Sequence, residues 1–454
     1  MANGPENSSC LSWFEFFNDP TLVGLIEQAM TGNQELKILT EEICIANNEI
    51  QARRGAFLPF LNLGGRAGLE KTSRFTRFGA VEEGLEVAPG RAFKDPLPEF
   101  LVAADLSWQV DIWRQLRNAK DAAVFRYLGT QDGQNYIVTR LVAEVAENYY
   151  QLLALDARLE ILNQTIAIQQ QSLKVAKALK ESARGTELGV QRFTAEVRKN
   201  QSEKQIIQQQ IIETENQINF LLGRYPQTVE RPSVAFLDVT LPAFKVRVPA
   251  QLLLNRPDIR QAERELHAAG LNIAVARANF YPSLTITGAL GLQAQDWNPK
   301  YFFQAPESLI YNLAGELVAP LINKQAIKAE YKTANAKQLQ ALYHYQQTVL
   351  NAYTEVINRM AKVENFGKSI AIKQQQLTAL EASVDAAVKL FQNVRVEYID
   401  VLLAQREMME ARLILIETKQ EQLSAVINTY QALGGGSLGT GNCDPICPDP
   451  QAGN

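Results

Sequence analysis

Two hydrophobic periods run along this chain, and each occurs twice. In four short stretches apolar and polar residues alternate one by one, the period of a half-buried β-strand. From Leu284, the residues Leu284, Ile286, Leu290 and Leu292 point one way, and Thr285, Thr287, Ala289 and Gly291 the other. Leu61, Leu63, Ala67 and Leu69 alternate with Asn62, Gly64, Arg66 and Gly68. A second strand follows each of these. Phe100, Val102, Ala104, Leu106, Trp108 and Val110 oppose Ala103, Asp105, Ser107, Gln109 and Asp111; Tyr311, Leu313, Leu317 and Ala319 oppose Asn312, Ala314, Glu316 and Val318. The pattern predicts strands over about 57–72, 98–112, 280–294 and 308–321.

Elsewhere the period is helical. Residues 118–223 and 325–433 contain almost no Pro or Gly, and apolar residues recur every three or four positions: Val138, Val142, Val145, Tyr149, Leu152, Leu155, Leu159, Leu162 and Ile166. This is a coiled-coil-like seam. The runs break near Arg184-Gly185 and Arg395-Val396, so each predicts a helical hairpin. Arms of about 40 to 65 residues would reach on the order of 60–100 Å for the longer ones. A shorter helix precedes each strand pair, over 33–56 and 257–279. Arg256-Pro257-Asp258 reads as a helix start, with Pro in the first turn and an acid at the positive end of the dipole. Pro59 and Pro282 end the helical pattern.

The two halves are copies. Residues 49–69 and 272–292, at an offset of 223, share Ile50/Ile273, Arg54/Arg277, Phe57/Phe280, Pro59/Pro282, Leu61/Leu284, Gly65/Gly288, Gly68/Gly291 and Leu69/Leu292. Glu35-Leu36-Lys37 falls on Asp258-Ile259-Arg260, and 166–173 resembles 370–377. Several matches in one order indicate a duplicated unit. The organisation is an N-terminal segment 1–19, repeat one over 20–240, repeat two over 245–435, and a Gly/Pro-rich tail 436–454 that reads as a disordered end.

Composition narrows the classes. Of 454 residues, 46% are hydrophobic and 21% charged, with a net charge of −4, so the chain is neither disordered by composition nor built as a basic nucleic-acid binder. Four Cys are too few for a disulfide scaffold, and two His leave little for a His-based metal or catalytic centre. No cofactor is expected. No apolar run approaches the roughly 18 residues of a membrane helix, which leaves a β-barrel open. The N-terminus lacks the charged start and apolar run of a secretory signal. Cys10 stands as a lipidation candidate, without the small-residue site and apolar run that usually precede a lipoprotein cysteine. Cys443 and Cys447 could form a local disulfide.

Strands of about 10 residues can cross a bilayer when tilted. Aromatic residues cluster near their ends (Phe57, Phe60, Trp108, Trp113, Tyr281, Trp297, Tyr301, Phe302, Phe303), as interfacial girdles do, and the polar loops 73–97 and 293–307 suit external loops. A soluble sandwich with one wet face has the same local pattern. Four strands leave two open edges, which hydrocarbon does not tolerate, and bacterial barrels need at least about eight strands. Two chains would supply eight, with a filled interior; three would supply twelve and room for a lumen. Asp105, Ser107, Gln109, Asp111, Thr285, Thr287, Asn312 and Glu316 are the lumen candidates.

Leu253-Leu254-Asn255-Arg256-Pro257-Asp258-Ile259-Arg260, followed by Ala276-Arg277-Ala278-Asn279-Phe280-Tyr281-Pro282-Ser283, resembles the TolC-type outer-membrane factor family, the outer-membrane channels of resistance–nodulation–division efflux systems. The resemblance covers roughly 20–435. It implies a mainly α fold with a membrane β-barrel: a homotrimer in the bacterial outer membrane, its twelve-stranded barrel continued by a long α-helical barrel in the periplasm. It further implies a small equatorial region, here 224–250 plus the chain ends, and a function as passive exit duct docked on a periplasmic adaptor and an inner-membrane pump. Arg256, Pro257, Asp258, Phe280 and Pro282 are its structural motif residues. The family's functional tip maps onto 182–188 and 393–400. Gly185 matches the glycine usual in these turns, whereas Val396 replaces the second. Asp400 matches an acidic position that can form a carboxylate ring at the constriction; the alternative is a solvated residue near a helix start. Arg184, Arg395 and Glu397 either pair across the tip to hold it shut or are wet surface, and Glu187 belongs to the same tip.

Two rival functions compete with the duct. A soluble coiled-coil adaptor or scaffold fits the helices but not the alternating strands. An enzyme has no nucleophile motif, phosphate-binding loop or metal-ligand spacing behind it.

Overall fold

The computed structural model describes residues 13–182, 185–232, 235–242, 256–322, 324–392 and 397–435. Cys10, Arg184, Arg395, Val396, Cys443 and Cys447 lie outside the described residues. The elements follow in the order α1 (Trp13–Phe16), α2 (Pro20–Gly32), α3 (Gln34–Gly55), β1 (Phe60–Glu70), α4 (Arg77–Gly84), β2 (Glu86–Ala88), β3 (Arg91–Ala92), β4 (Leu97–Val110), α5 (Gln115–Glu181), α6 (Glu187–Leu221), α7 (Pro257–Ala278), β5 (Ser283–Ala294), α8 (Pro299–Phe302), β6 (Leu309–Val318), α9 (Gln325–Gln392) and α10 (Tyr398–Ala432). The chain forms two compact units: Met1–Cys44, Gly129–Glu263 and His344–Asn454 make one; Ile45–Leu128 and Arg264–Tyr343 make the other. Each unit draws on both repeats.

In the second unit, the four long strands form one antiparallel sheet in the order β1-β4-β5-β6. The two repeats meet at the central pair, where β4 runs against β5 with Ser107 opposite Thr287 and Leu106 opposite Gly288. β2 and β3 form a separate hairpin in the loop between β1 and β4. Helix-to-strand turns are pinned by aromatic side chains: the Trp108 indole donates to the Phe57 carbonyl at 3.1 Å, and that of Trp113 to the Pro282 carbonyl at 2.8 Å. Trp113 also stacks on Tyr281, ring centroids 4.7 Å apart.

In the first unit, the predicted seam is the core. Val138, Val142, Val145, Tyr149, Leu152, Leu155, Leu162 and Ile166 are all buried, and Leu159 is partly so. Trp13, Phe16 and Phe17 of the N-terminal segment join this core, with Phe16 stacked 4.1 Å from Tyr430. Phe236, on a 3-10 turn at Phe236–Asp238, packs there too, so chain ends and the 224–242 segment gather around one cluster. Arg231 ties that segment down. Its guanidinium pairs with Asp156 of α5 and with Glu215 of α6 at 2.6 Å, and donates to the Val229 carbonyl at 2.9 Å.

The helical arms are unequal, contrary to the expected 40 to 65 residues each. α5 and α9 have 67 and 68 residues, α6 and α10 only 35 each. At 1.5 Å per residue these are about 100 Å and about 50 Å. The reason lies at Asn33. Its side-chain amide donates to the Leu221 carbonyl at the end of α6 (2.8 Å), while its Oδ1 accepts the Leu36 N–H in the first turn of α3 (3.1 Å). α3 and α6 therefore meet end to end, and two short helices do the covering expected of one long arm. The backbones touch at this joint: a Cβ on Gly32 would lie 2.2 Å from the Leu222 carbonyl oxygen, and one on Gly223, at φ +68°, 2.2 Å from that of Gly32. Only glycine fits both positions.

Repeat two builds the same joint from the residue 223 positions on, Arg256. Its guanidinium donates to the Ala432 carbonyl at the end of α10 (2.9 Å), forks onto Asp258 in the first turn of α7 (3.0 and 2.8 Å), and reaches Glu355 of α9 (2.9 Å). Burial works against its charge, and the two carboxylates more than offset it, holding the pKa above the ordinary arginine value. Replacing one partner of a buried ion network leaves the rest uncompensated, at about 3–5 kcal/mol. Arg256→Met is expected to destabilise the folded chain by about 3–5 kcal/mol, read as a lower denaturation midpoint; an unchanged midpoint would show that the joint is held by apolar packing alone.

Candidate channel surface and hairpin tips

Strand register decides which side chains share a face. Cα partners stand on the same side of a sheet, so pairing carries the alternation across all four strands. Asn62 faces Asp105, Asp105 faces Ala289, and Ala289 faces Asn312. Ser107 faces Thr287; Gln109 faces Thr285, which faces Glu316. Seven of the eight lumen candidates thus occupy one face. Further along it, Arg66 pairs with Glu99 at 3.5 Å, and the Gln293 amide donates to Glu99 at 3.0 Å, a charged ladder across β1, β4 and β5. Glu99 and Gln293 escaped the sequence reading, because their relation to Arg66 exists only once register is known.

The opposite face is apolar, and much of it is exposed. Leu61 opposes Leu106, Leu290 opposes Tyr311, and Gly288 opposes Leu313. Leu63, Tyr311 and Leu313 are 80%, 80% and 77% exposed. Water does not leave such a surface open in a stable protein without a purpose.

Asp111 departs from the expectation. β4 ends at Val110, and the Asp111 carboxylate accepts the backbone N–H groups of Leu116 and Arg117, each at 3.0 Å, at the start of α5. It caps a helix, since four N–H groups there lack helical partners, and so does not line the polar face. Phe280 and Pro282 sit at the turn into β5, where Phe280 packs edge-on to Tyr331. Pro257 opens α7.

At the first hairpin tip, Thr186 caps α6, its Oγ1 accepting the Gly189 N–H at 3.2 Å. Gly185 lies close under the end of α5, where a Cβ would stand 3.0 Å from the Lys180 nitrogen. Glu187 pairs with Lys180 across the turn and accepts from Gln191 at 2.6 Å. Those two bonds hold its carboxyl below the usual range. At the second tip, Glu397 precedes α10, and its backbone N–H donates to Asp400 Oδ2 at 3.2 Å. Asp400 and Glu397 are both exposed. The tips are packed together by a small apolar cluster of Ala176, Val190, Phe193 and Leu402, with Ile399 against it. Among the described residues no cluster of His, Cys, Asp and Glu could hold a metal, and no helix is long and apolar enough to cross a membrane.

The sequence profile of the family described as outer membrane efflux protein matches residues 25–224 and 248–435. The cation efflux system protein CusC of Escherichia coli K12 is 27% identical over 443 residues, 96% of this chain and 91% of CusC. The solvent efflux pump outer membrane protein SrpC of Pseudomonas putida is 26% identical over 423 residues, 93% of this chain and 87% of SrpC. A solved structure of CusC superposes with a TM-score of 0.83 at 26% identity, covering 95% of this chain and 97% of that one. The matched stretches span both repeats, the sheet and the hairpins: this chain belongs to the outer membrane efflux protein family, and is an efflux channel of the bacterial outer membrane.

Proposed function

We propose that three copies close their sheets into one twelve-stranded barrel, that the face carrying Asp105, Ser107, Gln109, Thr285, Thr287, Asn312 and Glu316 lines its lumen, and that the duct docks on a periplasmic adaptor and an inner-membrane pump. One observation supports this above the rest. A four-stranded sheet with an exposed apolar face has two open edges, β1 and β6, and unpaired backbone groups cost several kcal/mol each in hydrocarbon. Pairing β6 of one protomer with β1 of the next removes every edge. Apolar positions left exposed along α9, among them Leu350, Tyr353, Ile357 and Ile372, supply further surface for a neighbouring protomer. Exposed Leu188, just inside the first hairpin tip, is an apolar contact for the adaptor. Relatives are named for cations, solvents and toluene, so cargo is set outside the features shared with them.

The lumen assignment predicts an alternating accessibility pattern. In planar bilayers, Thr287→Cys and Asn312→Cys trimers should lose conductance on adding a charged methanethiosulfonate, and Leu290→Cys and Leu313→Cys trimers should not. Equal reactivity on both faces would exclude a lumen on the polar side.

Asp400 is proposed to form a ring of three carboxylates at the constriction, with cations bound between them closing it. Its hydrogen bond to the Glu397 backbone engages one carboxylate oxygen, Oδ2. Asp400→Asn keeps an acceptor for the cap and removes the charge. Block by millimolar divalent cations should weaken at least about tenfold, which is about 1.4 kcal/mol. If block persists unchanged, Asp400 is only a capping residue.

A further inference from the structure

The loop after β5 does not point away from the sheet. It folds over the apolar face and builds a cradle there. Trp297 meets Phe100 edge-on at 6.3 Å, and Trp297, Pro299, Phe302 and Phe303 wall a cavity of about 450 Å³ whose floor is Gly65, Ala67, Phe100 and Val102. These four stand on the face that carries Leu61, Leu63 and Leu106, because Gly65 is opposite Val102 and Ala67 opposite Phe100; Arg66 and Leu101, paired on the other face, also border the cavity. The floor is open at Gly65, where a Cβ would meet nothing nearer than 3.8 Å. Trp297 and Phe303 remain 57% and 74% exposed, so the walls are not themselves buried by the protein.

The cradle has a charged rim at one end. Asp296 pairs with Arg91 from the other long loop, whose guanidinium also lies 3.8 Å over the Tyr301 ring. The Asn298 backbone N–H, the Arg91 guanidinium and the charge of Lys94 together hold the Asp296 carboxyl below the usual range. Exposed Lys300 sits on the single turn that walls the cavity. Arg91 and Lys94 are carried on one long loop and Lys300 on the other, with the Arg91–Asp296 pair joining the two, and neighbouring Asp95 is engaged by Lys71 at 3.2 Å and Arg74 at 3.6 Å. An apolar slot continuous with a bilayer-facing surface, with a positive rim at the end carrying the long loops, fits a ligand that joins an acyl chain to a phosphate.

We propose that each protomer binds one lipid A molecule of the outer leaflet here, an acyl chain lying on Gly65 and Ala67 beneath Trp297 and Phe303, and a phosphate at Lys94 and Lys300. The site clamps the loop to the barrel wall. This rests on the sheet spanning the membrane with its long loops outward, so conductance is measured alongside binding. Delipidated trimer would be incubated with hexa-acylated lipid A or with dioleoyl phosphatidylethanolamine, and bound lipid counted by native mass spectrometry. The expected result is retention of lipid A, up to one per protomer, with the phosphatidylethanolamine lost under the same conditions. Gly65→Phe, which fills the floor, should lower lipid A occupancy at least about tenfold, and the double substitution Lys94→Glu with Lys300→Glu, confined to exposed loops, should lower it several-fold; both trimers should still conduct. Equal retention of the two lipids overturns the proposal. So does undiminished lipid A on a conducting Gly65→Phe trimer. A trimer that neither conducts nor inserts would instead count against the barrel itself.

Discussion

A sheet that faces hydrocarbon cannot keep a free edge. Each unpaired N–H or C=O costs several kcal/mol where no water reaches it, so the edges β1 and β6 dictate assembly more strongly than any side chain does. This constraint also explains an otherwise awkward surface. Leucines and a tyrosine that are largely exposed on one chain suit a barrel wall, and the exposed apolar residues of α9 suit a helix awaiting a neighbour. The single chain carries only four strands of such a wall, with open edges at β1 and β6.

Duplication supplies the parts, but the two copies interlock. The sheet is continuous only because β4 of repeat one pairs with β5 of repeat two, and each compact unit contains pieces of both repeats. The end-to-end helix joints show how duplicated positions diverged in chemistry while keeping a role. Asn33 spans one joint with a neutral amide; Arg256 spans the other with a charged fork, and brings Glu355 of α9 into the network. Arg359 extends it, pairing with Glu355 and donating to the Asn428 carbonyl of α10. Buried charge of this kind adds little net stability but leaves few alternative arrangements satisfied.

The electrostatics sort by location. In the helical core Arg231, Arg256 and Arg359 are paired and positional. Charges on the polar face of the sheet are spread out, with Asp105 and Glu316 exposed and Arg66 tied to Glu99. At the tips, acids are used first as helix caps and turn staples, which places Asp400 at a defined height on α10 through its bond to the Glu397 backbone. A capping role and a pore role are compatible, because a cap consumes one carboxylate oxygen and leaves the charge.

Local pattern alone determined a good deal here. The four strands and their two faces were legible because alternation fixes facing within a strand, whatever it pairs with. The seam from Val138 to Ile166 was legible because a helix buries one stripe. The doubled order of elements was legible because both copies kept their prolines and glycines. What remained hidden was every choice between distant residues. Trp13, Phe16 and Phe17 belong to no periodic stretch, yet they complete a core with Tyr430. Asp111 continued the alternation by one residue, but the nearby N–H groups of α5 claimed its carboxylate and ended the strand. The short returning arms could not be foreseen, since the seam says which stripe is covered and not whether one helix or two in line do the covering. Periodicity describes how an element meets its surroundings; which surroundings it meets is decided by packing between segments hundreds of residues apart, and only the tertiary structure records that.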